Sequence, residues 1–189
     1  MTQSHSPLSN SQTHWQPAHA VKLPTTLADW LTDTGSLTLK LQQTSQQQFQ
    51  VELLETGWQK PLAEEALKLA QAAEEIAYCR EVILRDGELP RVYARTIVPR
   101  NSYQQIQAQL AIGSLGNRSL GEMLFNDSTM TRGPLEVARL QRGQALFELA
   151  RQHSTLLDAD VAVWARRSCF YAADNRLLIT ELFLPSRDE

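Results

Sequence analysis

The sequence predicts an α+β fold: a single domain with a mainly antiparallel sheet of five to seven strands and helices covering one face. Three observations lead there. Strand-like runs come in pairs joined by tight turns, which antiparallel neighbours permit and parallel ones do not. Helical segments sit before and between those hairpins, not after every strand. The 189 residues fit one domain and contain no internal repeat or linker-like stretch.

The elements follow in chain order. Residues 1–20 are rich in Ser, Gln, His and Thr, offer little to bury, and are expected to be a disordered or loosely attached tail, with the domain running over 21–189. Leu27, Trp30 and Leu31 stand at i, i+3 and i+4 behind Thr25 and Thr26, as in a short capped helix. Ser36 to Leu41 opens a second helix, Phe49 to Leu54 alternates as a half-buried strand does, and Leu62 to Ala73 has helix-forming composition. Ala77 to Leu84 and Val92 to Val98 read as strands around Asp86-Gly87, a strong hairpin signal. From Ser102 a helix carries Tyr103, Ile106 and Leu110 on one face. Leu120 to Phe125 reads as a short helix or tight bend, Ser128 to Leu140 leans towards strand, and Ala145 to Arg151 is too short to assign. Val161 to Tyr171 and Leu177 to Leu184 form a last hairpin around Ala173-Asp174-Asn175.

Composition narrows the function. Against 21 Asp and Glu stand 18 Lys and Arg, for a net charge of −3, with no basic stripe to suit a nucleic-acid partner. No apolar run approaches the ~20 residues that cross a bilayer, and Met1 to Ala18 lacks the apolar segment of a secretory signal. A cytoplasmic protein is expected, with Cys79 and Cys169 as free, buried thiols. A phosphate-cradling glycine loop, paired metal-ligand spacings and a Gly-x-Ser-x-Gly elbow are all missing from the sequence, so no cofactor or metal is expected.

Two charged residues stand out. Glu181 lies in Leu177-Leu-Ile-Thr-Glu-Leu-Phe-Leu184, a strand with two apolar faces, where a carboxylate loses its hydration unless something satisfies it. Arg80 shares its face with Tyr78, Val82 and Leu84, and a guanidinium in such company suits a bidentate grip on a carboxylate. Either residue can equally be half of an internal ion pair. Arg95, between Tyr93 and Ile97, is similar, whereas Arg132, Arg166 and Arg167 read as solvated. These residues suggest an internal anion site without naming the anion.

The ordered segments Leu27 to Leu31, Gly35 to Thr38, Cys79 to Leu84, Ala94 to Pro99, Ser119 to Arg132, Trp164 to Ser168 and Leu177 to Pro185 resemble the chorismate pyruvate-lyase family over roughly residues 23–185. That resemblance implies an antiparallel sheet of about six strands and a ligand cavity under mobile flaps. It implies a cofactor-free, monomeric enzyme that splits chorismate into 4-hydroxybenzoate and pyruvate at the start of ubiquinone biosynthesis. It places Arg80 on the product's carboxylate, Glu181 on its hydroxyl, a backbone contact at Leu120, and Leu37 where the family carries methionine. Arg95 matches a second arginine of the family pattern and is expected to meet the substrate's other carboxylate. A product so enclosed is expected to leave slowly and to inhibit. The other reading is a non-catalytic sensor of aromatic acids, since ligand-binding domains of certain bacterial regulators resemble the lyase in fold.

Overall fold

In a computed structural model describing residues 12–157 and 161–185, one antiparallel sheet organises the chain. Its strands are β1 (Gln16–Pro17), β2 (Phe49–Gln59), β3 (Ala77–Asp86), β4 (Leu89–Pro99), β5 (Thr131–Arg132), β6 (Glu136–Leu140), β7 (Val163–Ala172) and β8 (Asn175–Phe183). The spatial order is β1-β6-β7-β8-β4-β3-β2, and β5 pairs with β7 beside β6. The sheet therefore has eight strands, of which β1 and β5 are two residues long. β5 and β6 both pair with β7 and are interrupted at Gly133-Pro134, where the Gly133 N–H still bonds to the Cys169 carbonyl at 2.8 Å.

The helices are α1 (Thr25–Thr32), α2 (Leu37–Thr44), α3 (Ala63–Lys68), α4 (Arg100–Leu110), α5 (Leu120–Asn126) and α6 (Ala145–Arg151). Local chemistry sets several of their ends. Ser36 and Ser119 cap α2 and α5 by accepting bonds from the Leu39 and Glu122 N–H groups. Glu65, in the first turn of α3, reaches back to the Leu62 N–H at 2.8 Å. The helical stretch expected to reach Ala73 ends earlier, with Ala70 at a positive φ of 47°.

Helices cover both faces of the sheet, not one. Leu31 and Leu41, from α1 and α2, pack with Val82, Leu84, Val92, Ala94 and Phe183. Ile106 and Leu124, from α4 and α5, continue the same cover around Val98 and Phe170. On the reverse face, Leu146, Phe147 and Ala150 of α6 bury Ile83, Tyr93, Ala165 and Leu182. Leu69, just past α3, joins Cys79, Ile97 and Leu178 there. A strand with two apolar faces needs a cover on each side, which is why these central strands sit in the middle layer.

The expected loose tail also needs correction. Residues 12–20 are built into the fold: β1 pairs with β6, and Trp15 packs against the α6 side of the core. The Trp15 indole N–H donates to Glu64 at 2.8 Å, and the Arg167 guanidinium lies 4.3 Å from the ring centre. One aromatic residue anchors a segment whose average composition is polar. Residues 1–11 of the expected tail lie outside the described residues. Among the described residues, no helix is long and apolar enough to cross a membrane.

Candidate active site

Register determines which side chains meet under the helices. Cross-strand partners share a face, and Arg80 pairs with Thr96, which pairs with Ile179, which pairs with Ser168. Two residues along, Ala94 pairs with Glu181 and Glu181 with Arg166. Arg132 lies opposite Phe170 on that same face. Arg80, Glu181, Arg166 and Arg132 therefore project into one space, roofed by the turn between α1 and α2 and by the segment leading into α5. All four line the resulting pocket, together with Leu37, Leu120 and Phe125. It is a narrow cavity with the sheet on one side and residues of α2 and α5 on the other.

The roof is held by arginines. Arg80 Nη2 donates to the Gly116 and Arg118 carbonyls at 3.0 and 2.9 Å. Arg132 Nη1 donates to the carbonyls of Asp33, Thr34 and Gly35 at 3.4, 3.0 and 3.2 Å, and its Nε donates to Ser168 Oγ at 2.8 Å. Arg166 Nη1 donates to the Trp30 and Asp33 carbonyls at 2.6 and 2.8 Å. The two covers also meet, through Ser119 Oγ on Thr38 Oγ1 at 2.9 Å and Gln42 on Glu122 at 2.7 Å.

The charges do not balance. Arg166 Nε pairs with Glu181 Oε2 at 2.5 Å, and Glu181 Oε1 accepts no bond among the described residues. Arg80 is only 3% exposed and Arg132 half-buried, yet neither has a carboxylate within 4 Å among the described residues. Arg80 Nε is buried with no hydrogen-bond partner among the described residues. Burial pulls both guanidiniums below their ordinary pKa, Arg132 down to about 10, with Glu181 pulling it back up. Both stay cationic at neutral pH. Three guanidiniums against one carboxylate leave two positive charges in a largely apolar pocket, a costly arrangement that a dianion would relieve.

Arg95 is not part of this site. It lies on the reverse face, 1% exposed, with Nε and Nη2 on the two oxygens of Glu65 at 2.8 and 3.3 Å and Nη1 on Glu81. The expectation that it meets a substrate carboxylate is corrected, and the cause is one residue. A regular two-residue hairpin from Asp86↔Leu89 and Arg85↔Pro90 would set Arg80 opposite Arg95. The register instead shifts so that Leu84 pairs with Val92, leaving Arg91 as an extra residue. That bulge turns Arg95 to the other face, opposite Glu81.

Arg132 and Arg166, expected to be solvated, are the residues the sequence undervalued. Arg166 is fully buried. A signal existed: adjacent Arg166 and Arg167 sit in a strand covered on both faces, so one of them must point into whichever side holds the pocket.

Similarity to known proteins accords with the geometry. A family model described as chorismate lyase matches residues 9–187. A probable chorismate pyruvate-lyase from Halorhodospira halophila is 37% identical over 175 residues, covering 90% of this chain and 89% of that one. One from Methylobacillus flagellatus is 40% identical over 158 residues, covering 83% and 85%. In fold alone, the chain is similar to the C-terminal domain of PhnF, with a TM-score of 0.55 at 14% identity over 79% of this chain and 88% of that one. The effector domain of PhnF from Mycobacterium smegmatis gives 0.52, also at 14%, over 82% and 91%. With a model match spanning nearly the whole sequence, the chain belongs to the chorismate lyase family.

Proposed function

We propose that this chain is a chorismate pyruvate-lyase, converting chorismate into 4-hydroxybenzoate and pyruvate as the first committed step towards ubiquinone. The observation that carries this is the pocket's surplus of two positive charges, because chorismate is a dicarboxylate. Family membership supplies the rest of the support. Arg80 grips the ring carboxylate through the N–H groups its carbonyl partners leave free. Glu181, clamped by Arg166 through Oε2, offers Oε1 to the ring hydroxyl. In the sheet, Arg80 and Glu181 are two strands and two residues apart, so their backbones are separated by roughly 12 Å. Both side chains rise from that spacing towards one ring between them. Leu37 and Leu120 form its apolar walls.

The reaction breaks the ring carbon–oxygen ether bond and takes a hydrogen from the neighbouring hydroxyl-bearing carbon. The electron pairs left in the ring make it aromatic, and the departing enolpyruvate gains a proton to become pyruvate. Aromatisation supplies the driving force, so the protein's task is orientation and electrostatic support. The two covers over the pocket must part to release product, and product release is expected to limit turnover. We also place the protein in the cytoplasm as a monomer. Cys79 and Cys169 are buried free thiols, which suits a reducing compartment.

The test is purified protein with chorismate in EDTA, following both products by chromatography. Equimolar 4-hydroxybenzoate and pyruvate are expected, with kcat/KM down by about 100-fold in Arg80→Ala. Tight binding of 4-hydroxybenzoate without any turnover would replace the lyase with the sensor.

A further inference from the structure

We propose that Arg132 is the pocket's second anion anchor: it binds the carboxylate of the three-carbon side chain and makes the site prefer a dianion to the monoanionic product. The proposal rests on the lyase reading and assigns the contact once expected of Arg95. Three features support it. Arg132 lines the pocket but has no carboxylate partner among the described residues. Its Nε and Nη1 are fixed by Ser168 and the Asp33–Gly35 carbonyls, while Nη2 donates to nothing among the described residues. Its guanidinium is also packed 5.7 and 5.4 Å from the Phe125 and Phe170 ring centres, so its charged end is held in place before any ligand arrives.

The other cations are placed differently. Arg166 spends its Nε on Glu181 and its Nη1 on two carbonyls. Arg80 stands on β3 and Arg132 on β5, with β4, β8 and β7 between them, so the two uncompensated charges flank the pocket from opposite sides. A dicarboxylate with one group on the ring and one on its ether side chain can satisfy both. Once the ether bond breaks, the aromatic product keeps only the carboxylate at Arg80. Arg132 then has no further hold on it.

The test compares two ligands by titration calorimetry: 4-hydroxybenzoate and 3-(1-carboxyethoxy)-4-hydroxybenzoate, a diacid ether that is already aromatic and cannot react. Wild type is expected to bind the diacid more tightly. Arg132→Met should weaken the diacid by roughly 10- to 150-fold, the worth of a hydrogen bond to a charged group, while leaving 4-hydroxybenzoate within about threefold. Retained binding of 4-hydroxybenzoate also reports that the variant is folded. Arg132→Lys, which keeps the charge without the planar fork, should show the same split at smaller size and serves if the methionine variant does not fold. Equal loss of both ligands would make Arg132 only a structural tie for the α1–α2 turn, and no loss of either would remove it from the site. If wild type fails to turn chorismate over, the lyase reading falls, whereas the diacid preference is still decided by the two binding constants.

Discussion

At the scale of single residues, Glu181 is held asymmetrically. Oε2 is committed to Arg166, and Oε1 is left without a bond among the described residues. A carboxylate so clamped can orient the ring hydroxyl, and it can also take up a proton; one substitution separates the two roles. Glu181→Gln keeps an oxygen acceptor for the hydroxyl but cannot serve as a base. If Glu181 transfers a proton, kcat should fall by about 10²-fold or more, the usual contribution of a positioned acid or base, while 4-hydroxybenzoate still binds. Near-normal turnover would restrict Glu181 to orientation. Loss of product binding as well would mean that the carboxylate's charge, balanced against Arg166, is needed to hold the site together.

At the scale of elements, the site depends on two short helices that meet over it. α5 approaches α2 closely: a Cβ at Gly121 would stand 3.0 Å from Thr38 Oγ1 and 3.5 Å from Ser36 Oγ. Gly121→Val should therefore push the covers apart, with an overpacking penalty of about 1–3 kcal/mol falling mainly on the closed form. The dissociation rate of 4-hydroxybenzoate, read by stopped-flow fluorescence, is expected to rise, and product inhibition to ease. An unchanged rate would mean that product leaves by another route. How far such elements were legible follows from what each one satisfies. The β3–β4 hairpin was readable because alternation and Asp86-Gly87 agree, and Gly87 does take the positive φ, 56°, that the turn demands. β5 and β6 were blurred because each is short and Gly133-Pro134 separates them. Arg80 and Glu181 could be picked out because a charge inside an apolar strand is conspicuous wherever it points. Assigning Arg95 required knowing that Arg91 is a bulge, and a bulge has no signature in composition. Of the two helices on the reverse face, α3 falls within the expected Leu62 to Ala73, whereas α6 was not assignable because Ala145 to Arg151 is short and its partners lie in distant strands.

At the scale of the whole molecule, the two faces of the sheet treat charge in opposite ways. The pocket face keeps two guanidiniums, those of Arg80 and Arg132, without acid partners among the described residues. On the reverse face the buried arginine does meet acids: Arg95 is shared by Glu65 from α3 and Glu81 from β3, joining a covering helix to the central strands. These ion pairs fix the layer behind the site independently of the charges in the pocket. Arg95→Met tests the division. It strands two buried carboxylates, and removing one partner of a buried ion pair typically costs about 3–5 kcal/mol. For a chain of this size each kcal/mol is worth roughly 2–4 °C, so Tm in a calorimetric scan should drop by about 10 °C. Below that transition, 4-hydroxybenzoate affinity should stay within about twofold, as expected for separate sites. Adding Glu65→Leu and Glu81→Met should recover much of the lost Tm, because apolar side chains of similar volume commonly replace a buried ion network at little cost. Were Arg95→Met instead to keep its Tm and lose chorismate turnover, Arg95 would have to reach the substrate after all, by a rearrangement that undoes the Arg91 bulge.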